Sequence, residues 1–219
     1  MKKSAVICVG ALVLAGCGSV RYPKSYVLNF PTPVSQGVRT GGSLGPVTIS
    51  EFRCPEYLCE GRIVYRPAPD EIAFYEYHRW AADPRQAIAQ YLYDGLRARS
   101  LFQNVAFHQR GSETAYILSG NIERLEEVDE GREVTVVCAI SAQLLDTRTR
   151  SIVWSHRASE TARVEKRDVP GIVSSLSYAA EKAGNRLLDS LSEELRSTVA
   201  VPPSEPGGLS AKRRTARQL

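Results

Sequence analysis

The sequence predicts an α/β chain, α+β-like in its arrangement, with a single mixed, largely antiparallel sheet and two main helices packed against it. Three observations carry this. Val134, Val136, Cys138, Ile140, Ala142 and Leu144 fall on alternate positions, the period of a strand with one face in a core. Two other segments, one opening at Asp83 and one at Pro170, repeat apolar residues at helical spacing instead. The chain between Tyr26 and residue 198 is long enough for one domain with a sizeable core, and two amphipathic helices covering one sheet face make a two-layer solution.

In chain order, residues 1–16 read as a signal segment. Lys2 and Lys3 form a charged start, Ala5–Ala15 is apolar but too short to span a bilayer, and Leu14-Ala15-Gly16-Cys17 is a lipobox. Only a cysteine supplies the thiol for thioether lipidation, and the small residues before it admit the processing peptidase. No Asp follows Cys17, which in hosts with that sorting rule favours the outer membrane. The expectation is a covalent lipid on Cys17, a linker over 17–25, and a periplasmic domain over 26–198.

The first strand is expected at Tyr26–Phe30. A connector at Gly41-Gly42-Ser43-Leu44-Gly45 resembles a phosphate loop only superficially, because no Lys-Ser/Thr pair and no helix start follow it. Next come a strand at Val47–Phe52 and a hairpin of Ile63-Val64-Tyr65 with Ile72–Tyr77, joined by Pro67-Ala68-Pro69-Asp70. Asp83-Pro84-Arg85-Gln86 combines an N-cap, a proline at the first helical position and a Gln placed for a capping box. Ile88, Tyr91, Leu92 and Leu96 form the inward face of that helix, which ends near Ser100. A meander follows, with strands at Val105–His108, Tyr116–Leu125, Val134–Leu145 and Ile152–Thr161. Asp129-Glu130-Gly131 and Asp146-Thr147-Arg148 supply turns. The last helix spans Pro170–Ser197, with Ile172, Leu176, Ala180, Ala183, Leu187, Leu191 and Leu195 on one side. Residues 199–219 have the composition of a disordered basic tail, either solvated or held against anionic headgroups.

Charge excludes one class of partner. Removing Lys2, Lys3 and the tail's net three positive charges from the formal +4 leaves about −1, without the clustered basic face that nucleic acid requires. Cys54 and Cys59 are candidates for a local disulfide in an oxidising compartment. The competing readings are a metal half-site, which lacks two nearby ligands, and two free thiols. Cys138 reads as a small core hydrophobe. His78, His108 and His156 are widely spaced, no hydrolase or metalloprotease motif occurs, and no metal or catalytic set is expected. Asp83, Glu126, Glu127, Asp129 and Glu130 read as acidic surface or capping groups rather than paired carboxylates.

The segment Tyr75-Glu76-Tyr77-His78-Arg79-Trp80 stands apart, because buried Tyr and Trp need partners for their polar atoms and Tyr, Trp and Arg are enriched at interfaces. Trp80 is expected in the core. Tyr75, Tyr77 and Arg79, expected on one strand face, are interaction candidates, with packing under the following helix as the alternative.

The order of lipobox, Tyr26-Val27-Leu28, Val64-Tyr65-Arg66, and Phe74-Tyr75-Glu76-Tyr77-His78-Arg79-Trp80 before Asp83-Pro84 resembles the ABC-type transport auxiliary lipoprotein family. Leu101-Phe102, Leu118-Ser119-Gly120-Asn121-Ile122, Leu144-Leu145-Asp146 and Val153-Trp154 extend the resemblance, while Cys54, Cys59 and the basic tail stand outside it. The resemblance implies a non-enzymatic partner of mammalian-cell-entry (MCE) domain lipid transporters, including the paraquat-inducible type. Such a lipoprotein would dock the periplasmic assembly to the outer membrane, as a monomer or homo-oligomer, with an ABC ATPase supplying energy. The rivals are an autonomous periplasmic lipid carrier and an envelope hydrolase.

Overall fold

The computed structural model describes residues 22–31, 44–109, 113–129, 131 and 133–200, with side chains to residue 197. The signal segment, Cys17, most of the glycine connector and the basic tail lie outside the described residues. Eight strands form one mixed sheet: β1 (Lys24–Tyr26), β2 (Val47–Ile49), β3 (Arg62–Ala68), β4 (Glu71–Trp80), β5 (Val105–Phe107), β6 (Tyr116–Asp129), β7 (Val134–Asp146) and β8 (Ser151–Arg163). Three helices accompany them: a single turn α1 (Glu56–Cys59), then α2 (Pro84–Arg99) and the long α3 (Val169–Ala200). The extended antiparallel pairings are β6–β7 and β7–β8, with the β3–β4 hairpin, whereas the parallel pairings are short.

β6 organises the sheet. One edge carries β7 along its whole length, and the other is shared end to end by β2, against Tyr116–Leu118, and β3, against Glu126–Val128. Across its widest part the sheet runs β1-β4-β3-β6-β7-β8. The alternating residues of β7 point where predicted: Val136, Cys138, Ile140 and Leu144 are fully buried. They meet Leu176, Ala180, Ala183, Leu187 and Leu191 of α3, which supplies the second layer. Gly120 belongs to this face because Phe52 lies over it; a Cβ there would come within 2.1 Å of the Phe52 ring. Gly184 does the same between helices, where a Cβ would stand 2.9 Å from Tyr91 on α2.

The N-cap and proline of α2 match the expectation, whereas the capping box expected from Gln86 is not formed: the Asp83 side chain bonds Arg85 instead. Asp83 Oδ1 accepts from the Arg85 backbone N–H at 2.8 Å, Pro84 opens the helix, and Ser100 closes it in the left-handed region at φ 50°. The turns also use their aspartates: Asp129 Oδ1 accepts from Gly131 N–H, and Asp146 Oδ1 from Arg148 and Thr149 N–H.

Three expectations need correction. β1 sits at Lys24–Tyr26 rather than Tyr26–Phe30, because from Leu28 onward the chain leaves the sheet for the helices. The Asn29 N–H donates to Ser177 Oγ on α3, and the Phe30 ring lies 4.9 Å from that of Tyr91. β2 ends at Ile49, since Ser50 and Arg53 donate to Leu118 and Gly120 carbonyls, a three-residue step against a two-residue one, which is a bulge. The meander holds only for β6–β8: β5 lies beside β2, in parallel, through pairing distant in sequence.

Candidate functional site

The aromatic segment occupies the second half of β4, where the hairpin is out of step. Val64 opposes Phe74 and Tyr65 opposes Ala73, but Arg62 opposes Arg79, so two steps on β3 face five on β4. Three extra residues are absorbed between Phe74 and Arg79, and the expected single face of Tyr75, Tyr77 and Arg79 does not run through the irregularity. Tyr75 turns inward. Its hydroxyl donates to Glu127 Oε2 at 2.6 Å, its ring lies 5.0 Å from that of Tyr65, and it meets His78 edge-on at 5.9 Å. His78 Nδ1 is 3.2 Å from the Tyr26 hydroxyl. Tyr77 and Arg79 stay at the surface, while Trp80 is buried and its backbone N–H donates to the Gly61 carbonyl. One of the three interaction candidates is therefore engaged internally, and two are displayed.

Glu126 and Glu127 are not surface groups, contrary to the expectation from sequence: both are buried, at 0% and 5% exposure. The two side chains leave the strand on opposite faces, and each face is covered, with Tyr57 beside Glu126 and Tyr75 against Glu127. Glu126 is held by Arg66 through two hydrogen bonds, Nε at 3.0 Å and Nη2 at 3.1 Å, and by Arg124 Nε at 2.6 Å. That bidentate geometry is the strong form of the arginine–carboxylate pair. Tyr57 of α1 lies beside this cluster; burial and the Glu126 charge push its hydroxyl pKa up, against Arg66 and Arg124. Glu127, one residue on, points to the opposite sheet face, the one shared with Val136. Burial raises its pKa, Asp129 adds to the rise, and the Tyr75 hydrogen bond and Arg167 oppose it.

Cys54 and Cys59 are joined as a disulfide, Cα atoms 6.2 Å apart, which closes the excursion carrying α1. Those thiols are thus not open to a metal, and among the described residues no group of three or more His, Cys, Asp or Glu is placed to hold one. Cys138 is a free, fully buried thiol whose pKa burial pushes up to about 12, which makes it inert.

The sheet face away from α3 is covered at Glu126, Val137 and Ala139 but open toward the other end of β6–β8. Register places Ser119, Gln143 and Ser155 in one row and Arg53, Asn121, Ser141 and Arg157 in the next. All of these but Arg157 line a shallow groove of about 670 Å³, which Ser50, Glu51, Phe52 and Arg85 border as well. Arg157 pairs with Glu123 at 2.5 Å. His156 alternates to the other face from Ser155, so its imidazole is not beside the Ser155 hydroxyl. Sequence reasoning misses this row of polar groups, which becomes visible only once three strands are in register.

Comparison with known proteins places this geometry in a family. The sequence matches the ABC-type transport auxiliary lipoprotein component family over residues 26–191. A Xanthomonas campestris protein assigned to DUF330 superposes with a TM-score of 0.67 at 14% identity, covering 80% of this chain and 99% of its own. A second protein, uncharacterised, gives 0.60 at 14% identity over 78% and 99%. PelC from Paraburkholderia phytofirmans, a dodecamer, gives 0.43 at 19% identity over 72% and 94%, a likeness too low to bear on assembly. No curated protein matches the chain. With its family match running from β1 through most of α3, the chain belongs to the ABC-type transport auxiliary lipoprotein component family.

Proposed function

We propose that this lipoprotein is a non-catalytic component of an intermembrane lipid-transport system, anchored through acylated Cys17 to the outer membrane and docking an MCE-domain transporter there. The observation that carries the reading against an autonomous lipid carrier is the filled interior. Leu118, Ile122, Ile140, Leu144, Leu176, Leu187, Leu188 and Leu191 close the space between sheet and helices, each at 2% exposure or less. An acyl chain needs a lined cavity, and this core has the close packing of an ordinary domain.

The open polar face of β6–β8 is the surface offered to the protein partner. One of its rows of Ser, Asn and Gln ends in Arg53 and Arg157, a composition suited to hydrogen-bonded contact with another protein. Formation of a homo-oligomer around the partner is compatible with that arrangement.

The test is a pull-down of the mature lipoprotein from detergent-solubilised envelopes, with mass spectrometry of proteins and lipids. Recovery of an MCE-domain protein without stoichiometric lipid on the bait is expected. Stoichiometric lipid on monomeric bait with no such partner would replace docking by carriage. Arg53→Glu is expected to lower recovery of the partner at least fivefold while leaving thermal stability unchanged.

A further inference from the structure

The two displayed members of the aromatic segment do not stand alone. β1 lies parallel beside β4, with Lys24 opposite His78 and Ser25 opposite Arg79, and at this flank of the sheet β1 is the outermost described strand. Tyr22 is 82% exposed, Val27 53% and Tyr77 37%, and Lys24 and Arg79 are exposed on opposite faces of the same two strands. One rim of the sheet thus shows two tyrosines, an aliphatic residue and two cations.

Chain length fixes where that rim can be. Five residue steps separate Cys17 from Tyr22, and an extended chain covers at most about 3.6 Å per step, so Tyr22 lies within about 18 Å of the lipidated residue. β1 begins two residues further on. The opposite edge, β8, is five strand spacings away, about 24 Å. Tyrosine at the headgroup level and Lys or Arg against anionic lipid are the side chains that a membrane–water interface selects.

We propose that the β1–β4 rim, through Tyr22, Lys24, Val27, Tyr77 and Arg79, rests on the headgroup layer of the bilayer that holds the lipid anchor, so that the sheet stands edge-on to the membrane. This rests on the lipid-anchor reading of Cys17. The occupant is a lipid surface and not a protein, because the tether keeps the start of this rim within about 18 Å of the acylated residue and the rim's exposed tyrosines and cations suit a headgroup layer. Rim contact is a second, non-covalent attachment that fixes orientation, which a short acylated linker alone leaves free to pivot.

The experiment is hydroxyl-radical footprinting of the full mature chain, lipidated and reconstituted in phosphatidylethanolamine/phosphatidylglycerol vesicles. The reference is the same chain carrying Cys17→Ser, free in solution. Oxidation of Tyr22, Val27 and Tyr77 is expected to fall at least threefold on vesicles, with Phe107 and Ile152, 40% and 55% exposed elsewhere, unchanged. The double variant Lys24→Gln/Arg79→Gln is expected to lose at least half of that protection. An acylated Cys17 with no protection of the rim, or with equal protection at Ile152, overturns the orientation and leaves the anchor standing. Unacylated Cys17 in the purified protein overturns both. Protection that appears only when a protein partner is added assigns the rim to that partner and overturns the proposal.

Discussion

Glu126 and Glu127 are consecutive, both buried, and satisfied in opposite ways. Glu126 faces the side where α1 and the disulfide lie and has two arginines; Glu127 faces the helix-covered side and has one tyrosine hydroxyl. The first carboxylate is compensated by two arginines hydrogen-bonded to it, the second by one hydrogen bond and the more remote charge of Arg167. Desolvation of a carboxylate is expensive on either side, so the two faces of one strand sit in different electrostatic regimes.

The largest effect is expected where charge compensation is removed. Arg66→Met leaves Glu126 buried with Arg124 alone and should cost about 3 kcal/mol in urea denaturation. A loss under about 1 kcal/mol would mean that Arg124 suffices. Next comes the covering element on the same side. Replacing Cys54 and Cys59 together by alanine frees the α1 excursion and should cost about 2 kcal/mol, the loop-closure value for so short a ring. The same loss should appear when the wild type is reduced.

On the other face, Tyr75→Phe removes the hydroxyl that donates to Glu127 and should cost about 1–2 kcal/mol at neutral pH, and less in acid, where the protonated carboxyl no longer bears a charge. Because the folded-state pKa of Glu127 is raised above 4.5, its contribution is fully present below 4.5 and is lost as pH rises through the raised value. Measured against Glu127→Gln, the wild type should therefore lose stability as pH climbs above 4.5. Asp83 runs the other way: burial pushes its carboxyl up, but hydrogen bonds and charge from Arg85 outweigh this and hold it below 3.8. Its contribution is present above 3.8 and fades as pH falls through the lowered value. The smallest effect is Asp83→Ala, about 1 kcal/mol for a lost N-cap, seen at neutral pH and vanishing in strong acid.

The same contrast explains what is legible in advance. α2 can be read from sequence because its cap, its proline and its apolar spacing are local, and β7 because alternation is local. Glu126 cannot, because its burial depends on β3 lying parallel to β6, which places Arg66 beside it from sixty residues away. Parallel pairing leaves no mark in nearby sequence. Residue type picks out Tyr75, Tyr77 and Arg79, but alternation does not foresee the three-residue slack in β4 that turns Tyr75 inward. The polar rows of the open face need four chain segments in register before they form a surface at all.

The shared edge of β6 has a practical consequence. Since β2 and β3 occupy successive stretches of one edge, the chain between Arg53 and Arg62 is a detour that starts and ends on the same strand. Between the disulfide and Gly61 it lies outside the strand pairings, and Gly61, at φ 74°, closes it with a carbonyl that accepts from Trp80 N–H on β4. An epitope or fluorescent tag spliced into this detour would ride on a fixed position of the sheet, anchored by strand pairing on both sides.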